Sequence, residues 1–142
     1  MLDFSINATL RAMQLTSKPR ILLIDDNAGF RELVRIMLSN EGYSVAVTED
    51  AVEGGKAMLA GQHDLVILDI EMPFMNGFEL LSAMRADPST AALKVIVVSG
   101  TKDVETLIKA EQLGVLDYLV KPVTRERLLG SINACLKRAG GE

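Results

Sequence analysis

Three carboxylates, a hydroxyl and an ammonium in this sequence stand where they could do chemistry together. Asp25 and Asp26 follow the apolar run ILLI, Asp69 follows LVIL, Ser99 follows VIVV, and Lys121 comes directly after YLV. Taken singly, each has a plain structural explanation: a strand-terminal Asp is often a turn former or helix N-cap, a Ser there a turn residue, a lone Lys a solvated charge. Together they ask for more, because four of five successive apolar runs end in a polar group that a single phosphoryl site would need. Three ionised carboxylates about 4 Å apart would repel by roughly 4 kcal/mol per pair at an effective dielectric near 20, so such a cluster requires cations or protons. Magnesium suits it, since this ion prefers oxygen ligands and typically takes one or two carboxylates together with a phosphate oxygen. Lys121 supplies a second positive charge, and the Ser99 hydroxyl could donate to an oxyanion. A carboxylate is also a competent covalent nucleophile toward phosphorus.

The elements that must position these groups are legible in the hydrophobic pattern. Ile21 to Ile24, Val45 to Val47, Leu65 to Leu68, Val95 to Val98 and Tyr118 to Val120 read as five short strands. ILLI, LVIL and VIVV are continuously apolar, as befits parallel strands covered on both faces. Helical spacing runs through Phe30, Leu33, Val34, Met37 and Leu38, and again through Val104, Leu107, Ile108 and Leu113. Three further helices cover about Ala51 to Ala60, Gly77 to Ala86 and Thr124 to Arg138, with Thr124 as an N-cap and Gly114 closing the fourth helix. The second helix is expected to be the weakest, short or mobile, because Gly54 and Gly55 each cost about 1 kcal/mol relative to Ala. The class is α/β. In an open parallel sheet, ligands bind beyond the carboxyl ends of the strands where the strand order reverses, so the acids converge if strands one and three are neighbours.

The chain of 142 residues is about one domain long, and 49% hydrophobic content is enough for one core. A net charge of -4 with no basic block argues against nucleic acid as a direct partner. Cys135, the single cysteine, falls in a helical pattern with Leu128, Ile132 and Leu136 and reads as a core residue, and the compartment expected is the cytoplasm. The sequence has no apolar run of membrane-spanning length and no secretory start. Residues 1–18 lie outside the βα pattern and are expected to be an extension, helical or disordered.

The acid pair after the first strand, DIEMPFMNGFEL around Asp69, SG after the fourth strand and YLVKP after the fifth resemble response-regulator receiver domains of the CheY type. The resemblance covers about residues 19–139, leaving 140–142 as a tail. It implies a doubly wound, flavodoxin-like sheet of five parallel strands in the order 2-1-3-4-5 with five helices. It also implies a role for each matching residue. Asp69 becomes the phosphoacceptor, Asp26 a direct magnesium ligand, and Asp25 a neighbour of the ion largely through water. The Glu71 backbone carbonyl completes the protein's share of the metal shell. Ser99 and Lys121 contact phosphoryl oxygens, and the Lys121-Pro122 peptide is cis. The donor is then a histidine on a separate kinase or phosphotransfer protein, since His63 in GQHDL reads as an exposed loop residue without a phosphotransfer role. Ser99 and Tyr118 are the expected switch pair, Ser99 moving toward the phosphoryl group and Tyr118 turning inward. The face formed by the fourth helix, fifth strand and fifth helix is where a downstream effector protein or a second copy would dock.

Ser99 and Gly100 stand where Thr and Ala are more frequent in such domains, which keeps the hydroxyl and loosens the loop. Glu71 and Thr101 occupy positions that resemble gateposts for hydrolytic water and so tune the phosphoryl lifetime, unless they are merely solvent-exposed. The expectation is a signalling switch rather than an enzyme, with chemistry of its own limited to self-phosphorylation from small donors and slow autodephosphorylation. No output segment follows the fifth helix, so output is expected through another protein unless the chain is a fragment. Two other readings use similar parts. A haloacid-dehalogenase-type phosphatase also places a nucleophilic Asp after a strand but expects a second Asp two residues on, where this chain has Glu71. An FMN-binding flavodoxin-like protein wants a Gly- and hydroxyl-rich phosphate loop where this chain has DDNAGF.

Overall fold

The computed structural model describes residues 18–72 and 76–137. The expectations for residues 1–17, for the motif segment 73–75 and for residues 138–142 lie outside that range. The five apolar runs form β1 (Arg20–Ile24), β2 (Ser44–Thr48), β3 (Leu65–Leu68), β4 (Val95–Ser99) and β5 (Asp117–Val120). All pairings are parallel, in the order β2-β1-β3-β4-β5. Between them lie α1 (Ala28–Asn40), α2 (Ala51–Ala60), α3 (Gly77–Ala86) and α4 (Val104–Gln112), and α5 (Arg125–Lys137) follows β5. Among the described residues no helix is long and apolar enough to cross a membrane.

Alternation along the central strands divides the core into two layers. Ile21, Leu23, Leu65, Ile67, Ile96 and Val98 face α1 and α5, meeting Val34, Leu38, Leu128, Ile132 and the buried Cys135. Leu22, Ile24, Val66, Leu68, Val95 and Val97 face the other way, against Ala51 and Met58 of α2 and Leu80, Leu81 and Met84 of α3. The four apolar residues of β1 are wholly buried; each such side chain contributes about 1.5–3 kcal/mol of transfer free energy.

Local chemistry starts and stops the helices. The side chains of Asn27 and Asp50 accept from the amides of Phe30 and Glu53, and Asn76 and Glu79 form a reciprocal capping box. Thr124 Oγ1 accepts from the Arg127 amide at 3.2 Å, as the sequence suggests, and Gly114 adopts φ +72° after α4.

Three expectations need correction. The α2 helix runs its full ten residues, and Gly54 is there for close packing, since a Cβ at that position would lie 2.6 Å from Ile24 Cδ1. The apolar stripe of α4 meets the core only at its end: Val104, Leu107 and Ile108 are exposed, Ala110 is the buried residue of the helix, and the half-buried Leu113 packs against the core. Leu33 of α1 is exposed as well. His63 is half-buried rather than exposed, with Nε2 3.0 Å from the Ala57 carbonyl oxygen, and it lies at the end of the sheet opposite the acids.

Candidate functional site

Strand register brings the acids together. Ile24 pairs with Leu68, so Asp25 and Asp69 leave adjacent strands side by side, and the Asp69 amide donates to the Ile24 carbonyl at 2.9 Å. Ser99 pairs with Val120, and the Lys121 amide donates to the Ser99 carbonyl at 2.8 Å, which carries Lys121 to the same sheet edge. The Lys121-Pro122 peptide is cis. Asp25, Asp26 and Asp69 each offer a carboxylate oxygen, and these atoms all lie within 4.8 Å of one another. Asp25 and Asp69 are buried and Asp26 is exposed.

Each buried carboxylate is tethered. Asp25 accepts from the Asn27 amide at 2.8 Å through Oδ1 and from Lys121 Nζ at 2.8 Å through Oδ2. Asp69 Oδ1 accepts from the Glu71 amide at 2.9 Å, and its Oδ2 lies 3.6 Å from Lys121 Nζ. Burial pushes the Asp69 carboxyl up to about 6; the Glu71 amide and Lys121 pull it down, and the charges of Asp25 and Asp26 add to the rise. For Lys121, burial works against the charge, but the bond to Asp25 and the charges of Asp25 and Asp69 hold it above the ordinary lysine range. One ammonium therefore faces a cluster of three carboxylates, two of them buried. A hard divalent cation fits that set, since the oxygens are close, partly desolvated and under-neutralised.

Some partners were not visible in the sequence. Phe30, which reads as a core position, lies under Lys121 with its ring centroid 4.5 Å from Nζ. Arg31 donates to the Asp25 carbonyl at 2.8 Å. The Glu71 carboxylate accepts from Ser99 Oγ at 2.6 Å and from the Gly100 amide at 2.9 Å. Tyr118 is half-buried, and its hydroxyl donates to the Thr101 carbonyl at 2.6 Å. The sequence expects Ser99 and Tyr118 to make new contacts once Asp69 is modified, yet in this unmodified chain both already have partners.

Comparison with known proteins places this geometry in context. The family described as response regulator receiver domain matches residues 21–133. The DNA-binding dual master transcriptional regulator RpaA of Synechocystis is 34% identical over 120 residues, which are 84% of this chain and 50% of that protein. The DNA-binding response regulator MtrA of Mycobacterium tuberculosis is 31% identical over 127 residues, 89% of this chain and 54% of MtrA. The chain thus spans about half the length of these curated relatives. Among solved structures, a response regulator receiver protein from Pseudomonas putida superposes with a TM-score of 0.79 at 35% identity, covering 83% of this chain and 98% of that one. A CheY-like receiver domain protein from Methanospirillum hungatei gives 0.79 at 32% identity, covering 84% and 94%.

Proposed function

Because this chain belongs to the response-regulator receiver family, we propose that it is a phosphorelay switch in which Asp69 accepts a phosphoryl group from a histidine of a separate kinase or phosphotransfer protein. The observation that carries this reading is the meeting of Asp25, Asp26 and Asp69 with Lys121 at one sheet edge. Asp25, Asp26, Asp69 and the Glu71 backbone carbonyl would hold a magnesium ion, whose charge offsets that of the carboxylates and of the incoming phosphoryl oxygens. The chain's own residues position and neutralise. With Oδ1 tethered by the Glu71 amide, Asp69 Oδ2, which pairs with Lys121 Nζ at 3.6 Å, is the nucleophilic oxygen. Its bond to phosphorus forms as the phosphorus–nitrogen bond to the donor histidine breaks, and the imidazole leaves with the electron pair. Lys121, held by Asp25 and Phe30, is in place to pair with a phosphoryl oxygen. Ser99 and Tyr118 relay the change, and Glu71 and Thr101 tune its lifetime.

Output would pass through the α4–β5–α5 face to a downstream effector protein or a second copy. The exposed apolar side chains of Val104, Leu107 and Ile108 on α4 support that choice, since they offer area a partner could bury. Matching relatives favour this reading over the phosphatase and flavin alternatives. Labelling with acetyl phosphate and magnesium tests it: Asp69→Ala is expected to abolish covalent labelling while its circular dichroism stays that of the wild type. Undiminished labelling of the folded variant would rule Asp69 out as the acceptor.

A further inference from the structure

Ser99 and Gly100 offer two donors at the edge of the site, and in this structure both point to one acceptor. Glu71 Oε1 takes the Ser99 hydroxyl at 2.6 Å and the Gly100 amide at 2.9 Å, across 28 and 29 residues of sequence. These short bonds to a carboxylate are of the stronger, charge-assisted kind. Ser99 is wholly buried, so its hydroxyl has few other options. The Ser99 oxygen in turn accepts from the Thr101 amide at 3.3 Å, and the Thr101 carbonyl accepts from Tyr118 at 2.6 Å. Hydrogen bonds joined by the Thr101 backbone thus link the Glu71 carboxylate to the ring hydroxyl of Tyr118. Gly100 belongs to the same arrangement, because a Cβ at that position would lie 3.3 Å from Glu71 Oε1, closer than such contacts normally fall.

We propose that the Glu71 carboxylate is a built-in stand-in for the phosphoryl group, occupying its oxyanion donors on Ser99 and Gly100 until phosphorylation of Asp69 displaces it. The proposal rests on the reading of Asp69 as acceptor and adds a competitor to that site. An anion already bonded to these donors must leave before a phosphoryl oxygen can take them, and its charge opposes the newcomer meanwhile. The loop that begins at Gly100 is therefore tied to the Glu71 side chain before the signal arrives. Phosphorylation then releases the Glu71 side chain to solvent and frees Ser99 and the loop after it to follow the phosphoryl group. Glu71 acts here as a positioning residue, with its backbone carbonyl untouched by any side-chain substitution.

The test uses the full chain with ¹⁵N label in four forms: wild type, Glu71→Ala, Glu71→Gln and Gly100→Ala. Amide exchange at Gly100 and Thr101, measured without magnesium or phosphodonor, reads the contact itself. It is expected to speed up about tenfold in Glu71→Ala, the loss of one hydrogen bond worth roughly 1.4 kcal/mol, and by less in Glu71→Gln, which keeps an acceptor. Titration with beryllofluoride and magnesium reads the competition, and the half-saturating concentration is expected to fall about tenfold in Glu71→Ala by the same conversion. Gly100→Ala, which crowds the carboxylate without removing it, shifts both readings in the same direction. Unchanged exchange at Gly100 in Glu71→Ala, or equal beryllofluoride affinity in all four forms, would overturn the proposal. So would a gain in Glu71→Gln as large as in Glu71→Ala with Gly100 still protected, because charge repulsion alone would then suffice. Failure of beryllofluoride to bind any form would instead bring down the acceptor reading and this proposal with it, leaving the Gly100 amide to report the contact alone.

Discussion

Burial raises the Asp69 carboxyl from the ordinary 3.8 to about 6, so in the metal-free chain the folded state holds this proton more tightly than the unfolded chain does. The sign follows directly. Stability linked to Asp69 is fully present below about pH 4, falls as pH rises through 6, and is lost above it. At about 1.4 kcal/mol per pKa unit, the penalty at neutral pH is of order 2–3 kcal/mol. Asp69→Asn removes the ionisation, so in EDTA it is expected to be more stable than the wild type at pH 7.5 by up to that amount, with the difference shrinking toward pH 5. Urea unfolding across that range checks this, and a wild type whose stability rises with pH over the same interval as steeply as the variant's would contradict it. The same penalty suits a nucleophile, because a carboxylate with a raised pKa is more basic and less well solvated than one in water.

At the scale of elements, the start of α3 is pressed against the backbone that carries Asp69. The Gly77 amide donates to the Ile70 carbonyl at 3.0 Å, and a Cβ on Gly77 would lie 2.5 Å from Ile70 Cα and 2.7 Å from the Asp69 carbonyl oxygen. Those neighbours are backbone and cannot swing aside as a side-chain tip can. Gly77→Ala is therefore expected to cost about 2–4 kcal/mol in a urea melt and to slow acetyl phosphate labelling, because relief of the clash moves Asp69 itself. A variant as stable as the wild type would show that the α3 start has more freedom than this packing implies. The other end of α3 is tied down by Arg85, whose half-buried guanidinium donates to the carbonyls of Ala91, Leu93 and Leu113 at 2.9, 2.6 and 2.8 Å. It joins α3, the approach to β4 and the end of α4. By contrast, the first turn of α4 has no side-chain cap bond from Asp103 and leaves its large apolar residues in solvent. An element held firmly at one end and loosely at the other is suited to shift when the β4–α4 loop does.

For the whole molecule, the concentration of negative charge at one sheet edge makes stability depend on the solution's divalent cations. A ligand that binds only the folded state adds RT ln(1 + [L]/Kd), about 1.4 kcal/mol at ten times Kd. Added magnesium is expected to raise the thermal midpoint of the wild type by several degrees, and EDTA to reverse it. Asp26→Asn is expected to remove most of that gain while leaving the metal-free midpoint little changed, because Asp26 is exposed and Asp25 and Asp69 are the buried carboxylates. An equal magnesium-induced rise in Asp26→Asn would exclude this carboxylate as a ligand.

The sequence by itself determined the strands, the helices, their caps and the placement of the acids after strands, because all of these are written in local features. Continuous apolar runs fix buried parallel strands, and Asn27, Asp50, Asn76 and Thr124 each cap the helix that follows within three residues. Asp25, Asp69, Ser99 and Lys121 were legible as a set because a parallel sheet sends every strand's end to the same edge. Tertiary structure alone decided which groups those side chains meet. The bond from Ser99 to Glu71 spans 28 residues, that from Lys121 to Asp25 spans 96, and that from Tyr118 to the Thr101 carbonyl spans 17. It also decided that Val104, Leu107 and Ile108 of the α4 stripe face solvent, since periodicity gives a helix its faces but not the direction in which the rest of the chain packs against them. Gly54 reads locally as a weak point and in fact packs so tightly against Ile24 that a Cβ there would lie 2.6 Å from its Cδ1. Spacing along a chain encodes backbone conformation, which is short-range. Partnership between side chains depends on strand order, register and layer packing, which are set by contacts no local pattern contains.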